Sequence, residues 1–103
     1  MKAQIDNYSG WVDDIDPNSL KTDFELILRK SGFGIINFIE HHFEPYGYTG
    51  LWLISESHFA IHTFPEESKT YIELSSCNRD MYNDFLLNLS KYRGEKCKLH
   101  EHN

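Results

Sequence analysis

The run Leu51-Trp52-Leu53-Ile54-Ser55-Glu56-Ser57-His58-Phe59-Ala60-Ile61-His62-Thr63-Phe64 decides how this chain folds. Leu51 to Ser55 and His58 to Phe64 are each of strand length and rich in branched and aromatic side chains. The short polar corner Ser55-Glu56-Ser57 breaks them apart, so they read as neighbouring antiparallel strands. Outward from this pair the pattern repeats. Tyr71 to Ser76 follows a break at Pro65 to Lys69, and Gly34 to Phe43 precedes the pair across the Pro45-Tyr46-Gly47 turn. A meander is the simplest way to connect four such strands.

Helical spacing appears on both sides of the meander. Asp16-Pro17 is a helix start, because proline has no N–H to lose at the first position and the Asp16 carboxylate can accept orphan N–H groups. Leu20, Phe24, Ile27 and Leu28 then recur on one face, and Gly32 supplies the stop. Met81, Phe85, Leu89 and Tyr92 define a second helix, capped near Asn78 or Asp80 and ending at Gly94. Lys2 to Tyr8 is expected as an opening strand. Lys96 to His100 is expected as a closing edge strand, with Cys97 a bystander on it. The sum is an α+β two-layer sandwich, an antiparallel sheet with two helices on one face.

Leu51, Trp52, Leu53 and Ile54 are apolar at every position, whereas a strand with one wet face alternates. Both faces of that strand are therefore expected to be covered. Helices cover one, and a second copy of the chain is expected on the other, giving a four-layer αββα homodimer.

Composition narrows the function. A length of 103 residues suits a single domain over 1–103, and 40% hydrophobic with 15% aromatic residues supplies an ordinary packed core. A formal charge of −6 opposes a phosphate backbone, so no nucleic acid partner is expected. No apolar run approaches the ~20 residues of a membrane span, and the opening residues lack a signal peptide's apolar stretch. A cytoplasmic protein without membrane contact is the expectation. Cys77 and Cys97 form no CxxC pair, which points to free thiols.

Strand alternation puts His58, Ala60, His62 and Phe64 on one face and Phe59, Ile61 and Thr63 on the other. The two histidines are then about 13 Å apart along the strand, too far to share a metal, and no metal site is expected. His100 and His102 lack a third ligand. Either strand histidine alone also fits a packed or hydrogen-bonded position. If the next strand presents Glu73, Ser75 and Cys77 on the His62 face, a thiol, an imidazole and several hydroxyls approach one another.

Residues 51 to 66, with His-His-Phe-Glu-Pro-Tyr-Gly-Tyr-Thr-Gly (41 to 50) before them and Tyr-Ile-Glu-Leu-Ser-Ser-Cys (71 to 77) after, resemble the processing segment of the bacterial and archaeal S-adenosylmethionine decarboxylases, which are pyruvoyl enzymes. The resemblance implies that Ser57 attacks the carbonyl of Glu56, converts that amide to an ester and splits the chain between residues 56 and 57. The Ser57 end is left as a pyruvoyl group, the only cofactor implied. His62 matches the histidine that assists processing, and Thr49 stands at a helper serine. Cys77 matches the thiol that returns a proton to the product carbon. Phe43 matches an aromatic that stacks on adenine, and Glu66 a carboxylate placed for the ribose hydroxyls. On their own, Phe43 also fits a strand-end core position and Glu66 a solvated turn.

These types suit the implied chemistry. A pyruvoyl ketone forms a Schiff base with the substrate amine and accepts the electrons released with CO2. A thiol with an ordinary pKa of about 8.5 is mostly protonated at neutral pH and can hand its proton to carbon. The resemblance further implies a homodimer that pools Ser57 and Cys77 of one copy with His62, Thr49, Phe43 and Glu66 of the other, in a step that feeds spermidine and other polyamine synthesis. Departures are Thr49 for serine, Phe64 for tryptophan and Asn78 for glycine after the cysteine. They bear on the substrate, with ornithine or arginine as the alternative for the same machinery. A separate alternative is an unprocessed dimer partner or binding module without catalysis, against which intact Ser57, His62 and Cys77 argue.

Overall fold

The computed structural model describes residues 3–101, with side chains as far as residue 95. The chain runs β1 (Asp6–Val12), α1 (Pro17–Lys30), β2 (Ile35–His42), β3 (Tyr48–Ile54), β4 (Ser57–Phe64), a short 3-10 turn (Pro65–Glu67), β5 (Lys69–Ser76) and α2 (Arg79–Glu101). The strands form one antiparallel sheet in the order β1-β5-β4-β3-β2. The meander runs from β2 to β5, and β1 closes it by pairing with β5.

α1 begins and ends on the chemistry its sequence carries. The Asp16 carboxylate accepts the Ser19 N–H at 2.8 Å, and Pro17 fills the first helical position. At the other end Gly32 takes φ +97°, its N–H reaches the Arg29 carbonyl and that of Phe33 reaches Leu28, both at 3.0 Å. That is a Schellman stop, which requires the left-handed residue that glycine provides. Leu20, Phe24, Ile27 and Leu28 are all buried.

Phe59 on β4 shows where the layers meet. It stacks on Phe24 of α1 at 5.3 Å between centroids and tilts against Phe85 of α2 at 5.6 Å. Both helices therefore cover the same face, with Trp52, Ile61, Ile72 and Leu74 completing the core. On the opposite face Leu51 and Leu53 stay 41% and 52% exposed, although their neighbours Trp52 and Ile54 are buried. Within one chain the apolar strand is covered on one side only.

Two element expectations need correction. The first strand begins at Asp6, later than the expected Lys2 to Tyr8, because its register is set by β5, where Asp6 pairs with Ser76 and Val12 with Thr70. Residues 96–100 continue α2 and form no edge strand. A single glycine in a helix costs only about 1 kcal/mol relative to alanine, so Gly94 does not stop α2. His102 and the side chains of Cys97 and His100 lie outside the described residues. Among the described residues, no helix is long and apolar enough to cross a membrane.

Candidate active site

The β3 to β4 connection is the two-residue turn Ser55-Glu56, and it is held in an unfavourable form. Glu56 has φ +61°, a left-handed conformation that an ordinary side chain adopts only at a cost of about 1–3 kcal/mol. The position is the second of the two turn residues, where glycine or asparagine is the usual occupant of a turn with one positive φ. The surroundings keep it there. The Glu56 carbonyl oxygen accepts the Cys77 N–H at 3.2 Å and the Cys77 Sγ–H at 2.8 Å. Its carboxylate accepts from Asn78 Nδ2 at 3.3 Å.

Ser57 opens β4 directly after this turn, opposite Ile54 on one side and Ser76 on the other. Its Oγ is buried and has no hydrogen-bond partner among the described residues. A buried hydroxyl normally finds a partner; this one has none and sits next to a carbonyl that accepts two hydrogen bonds in a left-handed turn, so its lone pairs are not engaged elsewhere among the described residues. A cleft of about 220 Å³ opens onto this corner, lined by Ile5, Glu56, Ser57, His58, Ser75 and Cys77.

The second cluster sits at the other end of the sheet. Thr49 on β3 pairs across the ladder with His62 on β4, and Thr49 Oγ1 lies 2.9 Å from His62 Nδ1. Tyr71 of β5 stacks on the same imidazole at 6.1 Å between centroids and donates its hydroxyl to Glu73 at 2.9 Å. That bond, more than any burial, raises the Tyr71 pKa above its ordinary value. Phe43 lies just past the end of β2, half exposed and edge-on to His41 at 4.5 Å. Glu66 is exposed in the turn after β4.

The sequence-predicted residues thus fall into two groups. Glu56, Ser57 and Cys77 gather where β3 and β5 finish; Thr49, His62, Phe43 and Glu66 gather where β2 and β4 finish. Ser57 and His62 are five residues apart on one strand, about 16 Å. Their side chains also point to opposite faces, since the alternation is as expected: Phe59, Ile61 and Thr63 are buried against the helices while His58 and His62 face outward. Glu73 and Ser75 do share the His62 face, but Cys77 follows the end of β5, six residues beyond Tyr71, the partner of His62. The expected approach of thiol and imidazole therefore does not occur within one chain.

Asn78 is the site residue that sequence patterning did not single out for this role. An asparagine before a helical run signals a cap, and Asn78 Oδ1 does accept the Met81 N–H at 2.9 Å. Its contact with Glu56 spans twenty-two positions and leaves no local signal.

A family model described as S-adenosylmethionine decarboxylase matches residues 8–103. The chain is 39% identical over 62 residues to the S-adenosylmethionine decarboxylase proenzyme of Prochlorococcus marinus (strain MIT 9313), covering 60% of this chain and 50% of that protein. It is 44% identical over 62 residues to the proenzyme of the same name from Thermotoga maritima, covering 60% of this chain and 48% of that one. The chain spans about half the length of the curated relatives it matches. The crystal structure of the adenosylmethionine decarboxylase from Aquifex aeolicus VF5 superposes with a TM-score of 0.71 over 91% of this chain and 83% of that one. At 17% identity this likeness is one of fold.

Proposed function

The chain belongs to the S-adenosylmethionine decarboxylase family, and from that membership we propose that it is a self-processing decarboxylase of S-adenosylmethionine whose pyruvoyl group is made from Ser57. The observation that carries this proposal is the Glu56 carbonyl held by both the N–H and the S–H of Cys77, beside the orphan hydroxyl of Ser57.

That arrangement suits an acyl shift. Attack of Ser57 Oγ on the Glu56 carbonyl carbon places negative charge on the oxygen that Cys77 already engages with two donors, the logic of an oxyanion hole. Collapse breaks the C–N bond, protonates the freed nitrogen and leaves Glu56 esterified to Ser57. The left-handed φ at Glu56 is relieved when the chain parts, so the turn stores part of the driving force. Removal of the Ser57 Cα proton then expels the main-chain carbonyl of Glu56 as a free α-carboxylate and leaves a dehydroalanine, and water converts it to the ketone with release of ammonia.

When formed, the pyruvoyl group supplies an electron sink for decarboxylation in place of a bound coenzyme. The chain's own residues do the rest. Cys77 lines the same cleft as Ser57 and can return a proton to carbon. Thr49 fixes the His62 ring through Nδ1 and leaves Nε2 outward. Phe43 offers an exposed ring for adenine and Glu66 a carboxylate for ribose hydroxyls. Carboxylates and a net charge of −6 favour a cationic sulfonium substrate.

A homodimer is part of the proposal. The two clusters lie at opposite ends of the sheet, and between them on the uncovered face sit Leu51, Leu53 and Ile39, beside a groove of about 380 Å³. A twofold axis through the middle of that face buries these side chains and lays Glu56, Ser57 and Cys77 of one copy over Thr49, His62, Phe43 and Glu66 of the other. Such a dimer completes two sites at once.

Mass spectrometry of the purified protein tests the proposal. We expect fragments 1–56 and 57–103, the second with a blocked ketone-bearing end, and release of CO2 from S-adenosylmethionine in preference to ornithine or arginine. Ser57→Ala should stay in one piece. A wild-type chain still joined at 56–57 after prolonged incubation would overturn self-processing and leave a binding module on the same fold.

A further inference from the structure

Asn78 joins the processing turn to the start of α2 with every polar group it has. Its Oδ1 caps the helix by accepting the Met81 N–H at 2.9 Å, and its N–H donates to Ser76 Oγ at 3.0 Å. The cap fixes which end of the carboxamide is which, so the remaining –NH2 faces Glu56 and donates to its Oε2 at 3.3 Å. The post is itself anchored. Arg79, the next residue, grips Asp6 of β1 through Nε at 3.0 Å and Nη2 at 3.1 Å, and Tyr82 donates its hydroxyl to the Asn7 carbonyl at 3.1 Å. Asn78 therefore stands at a fixed point between two elements while Glu56, exposed in a two-residue turn, has a conformation its own backbone disfavours.

We propose that Asn78 is a positioning residue for chain scission: by bracing the Glu56 carboxylate it holds the left-handed turn that presents the Glu56 carbonyl to Cys77. The inference rests on the self-processing reading and deepens it. Cys77 holds the carbonyl end of Glu56 and Asn78 the carboxylate end, and two adjacent residues thereby fix both arms of one turn residue. A residue without a side-chain donor at this place offers no such brace.

The test separates bracing from capping. Asn78→Asp keeps a good helix cap but turns a donor toward the Glu56 carboxylate into a second negative charge. Scission of Asn78→Asp, followed on denaturing gels, should slow about tenfold, the scale of one lost charge-assisted hydrogen bond. Adding Glu56→Gln restores a donor from the other side, and the double variant should recover most of that loss, with Glu56→Gln alone as its reference. Thermal unfolding of the uncut Ser57→Ala chain should be the same with and without Asn78→Asp. A role confined to helix stability would lower the unfolding temperature and give no rescue. Asn78→Asp cut at the wild-type rate, or slowed without rescue by Glu56→Gln, overturns the inference while leaving self-processing intact. A wild-type chain that never splits overturns both.

Discussion

Cys77 Sγ lies 2.8 Å from the carbonyl oxygen of Glu56, and the Cys77 N–H reaches the same oxygen at 3.2 Å. The main-chain donor survives any substitution except proline; the thiol does not. Cys77→Ala should therefore slow scission by about 10²-fold, the effect of deleting one donor from an oxyanion hole, and Cys77→Ser, which keeps an O–H, should lose much less. Time courses on denaturing gels read both rates. Equal rates for Cys77→Ala and wild type would remove the thiol from processing.

Much of this architecture was legible in the chain. Asp16-Pro17 and Gly32 fix the ends of α1 by local hydrogen bonding, and the buried set Leu20, Phe24, Ile27 and Leu28 follows from period alone. Alternation along His58 to Phe64 likewise predicts which side chains face the helices. What local pattern could not supply was long-range placement. Asp6 finds Ser76 and Arg79 across seventy or more positions, which is why β1 starts later than its own composition suggested. The 96–100 segment has too few apolar residues to separate a strand from the end of a helix. The site was legible as a set of residue types, whereas its division between two ends of the sheet, and the Asn78 brace, depend on register and on contacts between distant segments.

Thr49 Oγ1 and His62 Nδ1 are 2.9 Å apart on adjacent strands. Thr49→Val preserves shape but removes the hydroxyl, freeing the ring to rotate and leaving Nδ1 without its partner. It should process about fivefold more slowly, in keeping with one net hydrogen bond. Thr49→Ser keeps the oxygen and loosens χ1, and it should process at least as fast as wild type. Rates in the reverse order would mean that the methyl group, packed between strands, matters more than the hydroxyl.

Tyr48 is almost fully buried, and its hydroxyl donates to Glu40 at 2.6 Å. Burial, then the Glu40 bond and the nearby carboxylates, raise its pKa well above the ordinary 10.0. The folded phenol thus stays protonated at a pH where the unfolded chain releases the proton. The associated stability is complete below pH 10 and is lost as pH rises through the raised folded value. Tyr92 is shifted in the same direction by burial and then by Asp14, Asp23 and Asp13, so it adds to the same alkaline loss. Tyr48→Phe should weaken the fall in the urea midpoint between about pH 8 and about pH 11 and leave the part due to Tyr92. An unchanged slope would show that Tyr48 ionises equally in both states.

Complementation between inactive chains tests the shared site most directly. Ser57 and His62 lie on one strand but about 16 Å apart and on opposite faces, so one chain cannot bring them together without unfolding β4. In the proposed twofold dimer the corner that carries the Glu56–Ser57 bond, whose cleft reaches the outward-facing His58 and Ser75, instead lies against the His62 of the other copy. Ser57→Ala cannot be cut, and His62→Ala should be cut very slowly. Co-expressed, the two variants form mixed dimers in which the His62→Ala chain supplies an intact Ser57 and the Ser57→Ala chain an intact His62. About half of the His62→Ala chains should then split at the normal rate, the share expected in mixed pairs when the variants associate at random, and the Ser57→Ala chains should stay whole. Tags of different length on the two chains make the bands separable. If neither chain splits in the mixture although sedimentation shows dimers, the site is not shared across that face.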